Sequence, residues 1–161
     1  MTSVAMTGMG PGLFFEQETA QFEVNQSTLV AGRTTAIEFG DVVLLELVGT
    51  SYEKVTLPSG ASASLPSQLV GIALENANHG ETVRVGLRGE FKCLCRSLGI
   101  GNELVVSQGI WGALSSPTDV PAADPAVYHK LVGVAQETPA SDGIIITVFF
   151  DGITGIMGTH N

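Results

Sequence analysis

The sequence predicts a mainly β protein, built as a small β-barrel or β-sandwich (β-tulip-like) with long loops and little helix. No window of ten or more residues holds the 3.6-residue apolar period of an amphipathic helix. Several short runs instead alternate apolar and polar residues, or are rich in β-branched residues, between turn residues. The 161 residues include 20 glycines, which suits a chain with many turns.

Residues 1–20 are predicted to form an extended N-terminal arm, and residues 21–161 a single β-rich domain. The arm contains "TGMGPG", which brings three glycines and a proline together, and no helix or strand interior tolerates such a run. Next come Phe14, Phe15 and Phe22, which we interpret as aromatic anchors for a partner. The alternative is that these side chains fold back onto the core of the same chain.

The predicted strands follow in order along the rest of the chain. "TTAIEF" and "DVVLLEL" are joined at Gly40-Asp41, a tight-turn signal, and "SYEKVTL" comes next. A Pro/Gly/Ser loop covers 58–68, and 81–96 is the clearest strand region. "NELVV" and "GIWGAL" are shorter strands before a loop at 115–127, which holds three prolines and one helical turn after Asp124. "HKLVGVAQE" and "IIITVFF" complete the set.

One phrase occurs twice, at 69–91 and again at 131–153. The first seven positions of the two copies share five identities, and each copy continues through polar turn residues into a β-rich run, with one residue inserted in the second. We interpret this as one hairpin used twice, the alternative being two unrelated hairpins that look alike. Gly71 and Gly133 lie within the first strand of each copy, where glycine indicates a bulge or a close backbone approach.

The strand predicted at 81–96 alternates strongly. Its odd-numbered residues are mostly apolar, whereas the even-numbered set includes four of the seven basic residues of the chain: Arg84, Arg88, Lys92 and Arg96. This basic row is a candidate surface for an acidic partner. The alternative is a solvated face that pairs with neighbouring carboxylates such as Glu38 or Glu46. A bulge at Gly86 or Gly89 would interrupt the row.

Composition argues against several classes of partner. Seven basic and 16 acidic residues give a formal net charge of -9, which disfavours nucleic acid and anionic membranes. No apolar run has the length of a membrane helix, and the N-terminus lacks the features of a signal peptide. Cys93 and Cys95 would share one face of a strand, which suits neither a disulfide nor a closed zinc site, so we expect buried thiols in a reducing compartment.

The motifs of common enzymes are absent from the sequence. It has no phosphate-binding P-loop, no dinucleotide fingerprint and no nucleophile elbow. His79, His129 and His160 are dispersed, so no metal site is expected. A carboxylate pair assembled in space would leave no such motif, but nothing indicates one. We therefore expect a protein without catalytic residues, cofactors or metals.

Several segments resemble the capsid cement, or head decoration, proteins of tailed bacteriophages. The most specific is Gly71 through Phe91, which follows the family pattern G-[IV]-A-x-x-x-A-x-x-G-[ED]-x-V-x-V-x-x-x-G-x-[FV]. Weaker matches are "FGDVVLLEL" at 39–47, the Gly-Asn-Glu-Leu run at 101–104 and "LVGVA" at 131–135. The resemblance spans about residues 28–153. The sequence departs from the family at Asn102, where aspartate is more usual, in the loop at 115–127 and in the Gly-rich N-terminal arm.

The resemblance implies a virion protein that is made in the host cytoplasm and binds the outer surface of the capsid. Its partners would be the major capsid protein and itself, as a homotrimer, and its role would be to stabilise the capsid lattice. A second hypothesis is a carbohydrate- or host-surface-binding virion module, with Tyr52, Trp111 and Tyr128 as available aromatic side chains. A third, a cupin-type enzyme, would need clustered histidines, which the sequence does not suggest.

Overall fold

The computed structural model describes residues 17–58, 68–96, 103–106, 112–115, 129–141, 143–155 and 159–160. These residues contain strands and no helix, which confirms the predicted fold class. The helical turn predicted after Asp124 lies outside them. In chain order the strands are β1 (Glu18–Val24), β2 (Val42–Val48), β3 (Ser51–Thr56), β4 (Val70–Ala73), β5 (Thr82–Cys95), β6 (Glu103–Val106), β7 (Leu114–Ser115), β8 (His129–Lys130), β9 (Gly133–Ala135), β10 (Ile144–Asp151) and β11 (Thr159–His160).

Nine strands form one sheet that closes on itself twice. The first barrel consists of β1, β3, β2, β4 and the first half of β5, and it closes because β1 pairs with both β3 and β5. The second barrel consists of the second half of β5 with β10, β9, β6 and β7, and it closes at one pair, Cys95 opposite Leu114. The 14-residue strand β5 therefore belongs to both barrels. β8 and β11 form a separate two-stranded sheet.

Each barrel has its own hydrophobic core. β2 and β4 contribute to both cores, because alternate residues of a strand point to opposite faces. Val43, Leu45 and Ala73 belong to the first core, and Val42, Val70 and Ile72 to the second. Burial on both faces explains why the sequences of these two strands are nearly continuous apolar runs. Cys93 and Cys95 are free thiols buried in the second core, as predicted.

The repeated phrase forms the same hairpin twice. In the first copy β4 pairs with β5, with Ala73 opposite Val85. In the second copy β9 pairs with β10, with Ala135 opposite Val148, which is the same position once the inserted residue is counted. The predicted duplication is confirmed at the level of register.

The structural repeat is longer than the phrase. Both barrels close through a parallel pair, Val24 opposite Val55 in the first and Cys95 opposite Leu114 in the second. Equivalent turns also match, since Gly80 N donates to Val24 O over 2.9 Å and Gly143 N to Cys95 O over 3.0 Å. The strands correspond one to one. β1 matches the second half of β5, β2 matches β6, β3 matches β7, β4 matches β9, and the first half of β5 matches β10. The described strands of the sheet are thus a tandem of two five-stranded units that share one strand.

The glycines of the phrase allow close backbone approach, as predicted. A Cβ on Gly133 would lie 2.8 Å from Phe149 O, and a Cβ on Gly71 would lie 3.0 Å from Gly86 O. Gly86 and Phe149 are equivalent positions of the two hairpins. Each unit therefore uses glycine where its short strand meets the long one.

Two predictions about the early chain need correction. "TTAIEF" is not a strand: its only ladder contact among the described residues is a bridge from Ile37 to Ala77. Polar side chains fold this segment into turns instead, with Thr34 N donating to Glu38 and Glu38 N to Asp41. The arm is also shorter than predicted, because β1 begins at Glu18 and pairs with β5 from there.

No helix that could span a membrane was found in the described part of the chain.

Candidate interaction surface

The three predicted aromatic anchors have different outcomes. Phe22 is a core residue of the first barrel, only 6% exposed, and lies opposite Val83 in the β1–β5 ladder. Phe22 therefore follows the alternative, in which the side chain packs onto the core of the same chain, because Ala20, Phe22 and Val24 of β1 face the first core. Phe14 and Phe15 lie outside the described residues.

A bulge beside Gly86 interrupts the basic row on β5, which is the interruption that the sequence suggested. Glu18 lies opposite Arg88 and Thr19 opposite Gly86, so β5 has one extra residue, Leu87, between them. The bulge reverses which face the odd-numbered residues occupy, and this lets β5 serve two cores that lie on opposite faces of the strand.

Glycine contacts confirm this reversal. The ring of Phe91, in the second core, lies against Gly86, which is on the same face of β5 as Arg84. Lys92, by contrast, has the opposite parity to Phe91 and points away from that core. Arg84 and Lys92 therefore project from opposite faces of β5 and do not form one continuous basic surface.

Arg88 joins three strands at this bulge. Its Nε donates to Asp151 Oδ2 over 3.2 Å, and its Nη1 donates to Glu18 Oε2 over 3.1 Å. The charge of Asp151 is the main cause that raises the pKa of Arg88. Asp151 also accepts from Ile153 N and from both Thr154 N and Thr154 Oγ1. Burial raises the pKa of Asp151, but these hydrogen bonds and Arg88 outweigh it, so the pKa lies below its ordinary value.

Lys92 has a carboxylate partner as well. Its Nζ lies 3.2 Å from Glu137 Oε2, and the same oxygen accepts from Thr147 N over 2.6 Å. The hydrogen bonds from Thr147, with a contribution from Lys92, lower the pKa of Glu137 to about 2. Glu75 occupies the equivalent place in the first unit, where it accepts from Arg84 N over 2.9 Å.

Two residues of the basic row thus have cross-strand partners of the kind that the structural alternative predicted, and the partner-binding role of the row stays a prediction. Arg88 and Lys92 are ion-paired within the chain, and their partners are Glu18, Asp151 and Glu137 instead of the predicted Glu38 or Glu46. Arg84 is exposed and Arg96 is half-buried. Sequence reasoning missed these partners because each lies at least 45 residues away along the chain.

A buried ion pair explains the Gly-Asp motif that begins β2. Arg33 donates to both oxygens of Asp41, over 2.5 Å and 2.7 Å, and Asp41 also accepts from Glu38 N. The side chain of Asp41 is 3% exposed and that of Arg33 is 10% exposed. Gly112 lies against this pair, and its carbonyl accepts from Val42 N over 2.7 Å. The motif therefore fixes a contact between the barrels and is not a surface site.

The exposed large apolar side chains of the described surface are Leu29, Phe39, Leu47, Val48, Tyr52, Ile144 and Ile145, and five of them fall into two groups. Leu47, Val48 and Tyr52 lie at the end of the β2–β3 hairpin, with Leu47 opposite Tyr52. Phe39 and Ile145 are the second group: each is more than 40% exposed, and Gly40 contacts the Ile145 side chain. Exposed apolar surface can be buried against another molecule when it is contiguous.

Few of the described residues are candidates for binding a small molecule or a metal. Of the aromatic residues considered for glycan binding, Tyr52 is partly exposed, and Trp111 and Tyr128 lie outside the described residues. His129 and His160 are not as dispersed as the sequence suggested, because they are directly opposite each other in the β8–β11 sheet. His79 Nδ1 accepts from Gln26 N. No group of three or more His, Cys, Asp or Glu side chains that could hold a metal occurs in the part of the chain that the structure describes.

Comparisons with known proteins found a structural likeness. No protein-family model matches the sequence, and a search of curated proteins found no match. Among solved structures, the chain is similar to the N base of the head fiber protein gp8.5 of bacteriophage phi29. The TM-score is 0.51 at 12% sequence identity, and the match covers 88% of this chain and 98% of that one. At this identity the likeness shows that the two chains share a fold.

Proposed function

We propose that this protein is a structural component of a bacteriophage head. It would bind the outer surface of the capsid and stabilise the lattice of the major capsid protein, most simply as a homotrimer. The observation that carries the proposal is the shared fold with a head-fiber base, which extends over nearly the whole of both chains. The cement-protein motifs in the sequence are an independent line of support, since they come from residue patterns and not from the fold.

The surface described above suits such a role. Two exposed apolar groups, one on each barrel, can bury area against neighbours. Arg88 and Lys92 are paired with carboxylates of the same chain, so binding would not depend on the charges of these two residues. Many identical contacts on a lattice also add through avidity, so that each one can be weak.

The test is reconstitution on capsids that lack the protein. Purified protein is mixed with expanded heads and with unexpanded precursor heads, and the bound fraction is measured after sedimentation. We expect saturable binding to expanded heads and a rise in the temperature at which they release DNA. Sedimentation velocity of the free protein checks the trimer. Protein that remains monomeric and never sediments with heads would contradict the proposal.

A capsid-attached base that carries another virion component is the second candidate, because the structural neighbour is the base of a head fiber. This role also requires head binding, but heads would gain no thermal resistance. A host-surface-binding role would instead give binding to a glycan array, reduced by Tyr52→Ala. These readouts separate the three roles in one set of preparations.

A further inference from the structure

We draw no further inference here: the strongest candidate, the exposed apolar group of Leu47, Val48 and Tyr52 at the end of the β2–β3 hairpin, carries none because nothing in the described part of the chain shows what covers it.

Discussion

Arg88 and Asp151 occupy equivalent positions of the two structural units and face each other across the β5–β10 ladder. Each lies three residues beyond the valine that pairs with the short strand, Val85 in one hairpin and Val148 in the other. Their side chains form an ion pair at 3.2 Å. Equivalent positions of the two units thus carry opposite charges, and these two residues bind each other at the strand that both barrels share.

We expect Asp151→Ala to destabilise the protein more than Arg88→Ala. Asp151 accepts hydrogen bonds from Arg88, Ile153 and Thr154, whereas Arg88 is partly exposed and screened by solvent. Loss of Asp151 should cost about 1–2 kcal/mol, which is the usual worth of a few partly exposed hydrogen bonds. Chemical denaturation of both variants measures the order, and a larger effect for Arg88→Ala would contradict the assignment of Asp151 as the organising group.

Gly86→Ala should destabilise the fold by about 1–3 kcal/mol through overpacking. The added Cβ would lie 2.5 Å from the Phe91 ring, too close for any real contact. A smaller side chain at the second position relieves this, so Phe91→Leu should cost less in the Gly86→Ala background than in wild type. A double-mutant cycle of unfolding free energies checks the coupling, and additive effects would show that the ring does not limit this site.

Asp41→Ala should be among the most destabilising single changes, at about 3 kcal/mol, because it leaves the Arg33 guanidinium buried without its bidentate partner. The double variant Arg33→Met/Asp41→Leu removes both charges and should be clearly more stable than Asp41→Ala alone. Thermal unfolding of wild type, Asp41→Ala, the double variant and its two single variants, Arg33→Met and Asp41→Leu, measures this. A double variant as unstable as the sum of its single changes would mean that the pair is not coupled.

The pH dependence of stability should include a contribution from Glu137. The pKa of this group is lowered in the folded protein from 4.5 to about 2, so the unfolded chain binds its proton more tightly. The stabilising contribution is therefore complete above pH 4.5 and is lost as the pH falls toward 2. Glu137→Gln should be less stable than wild type at pH 6, and this difference should shrink at pH 2.5. Glu53→Gln, an exposed change in β3, is the control. A difference that is constant with pH would contradict this origin.

Local patterns predicted much of the architecture. The two-residue period of 81–96, the repeated phrase and its glycines led to β5, to two hairpins of equal register and to close backbone contacts, all of which the structure confirms. These features depend on neighbours along the chain or on the absence of a side chain, so a short window contains the information. "TTAIEF" failed by the same logic, because its β propensity is overridden by Arg33, Glu38 and Asp41, which bond across several residues.

What the sequence determined by itself was therefore the class of the protein, most of the strands and the hairpin that it uses twice. Only the tertiary structure decided that β5 is shared by two barrels, that a bulge at Leu87 turns its basic residues to opposite faces, and that Arg88 meets Asp151. The physical reason is distance along the chain. Closure of the barrels joins β1 to β5 and β5 to β7, and the Arg88–Asp151 ion pair spans 63 residues. The alternation of apolar and polar residues within one strand therefore contains no information about either contact.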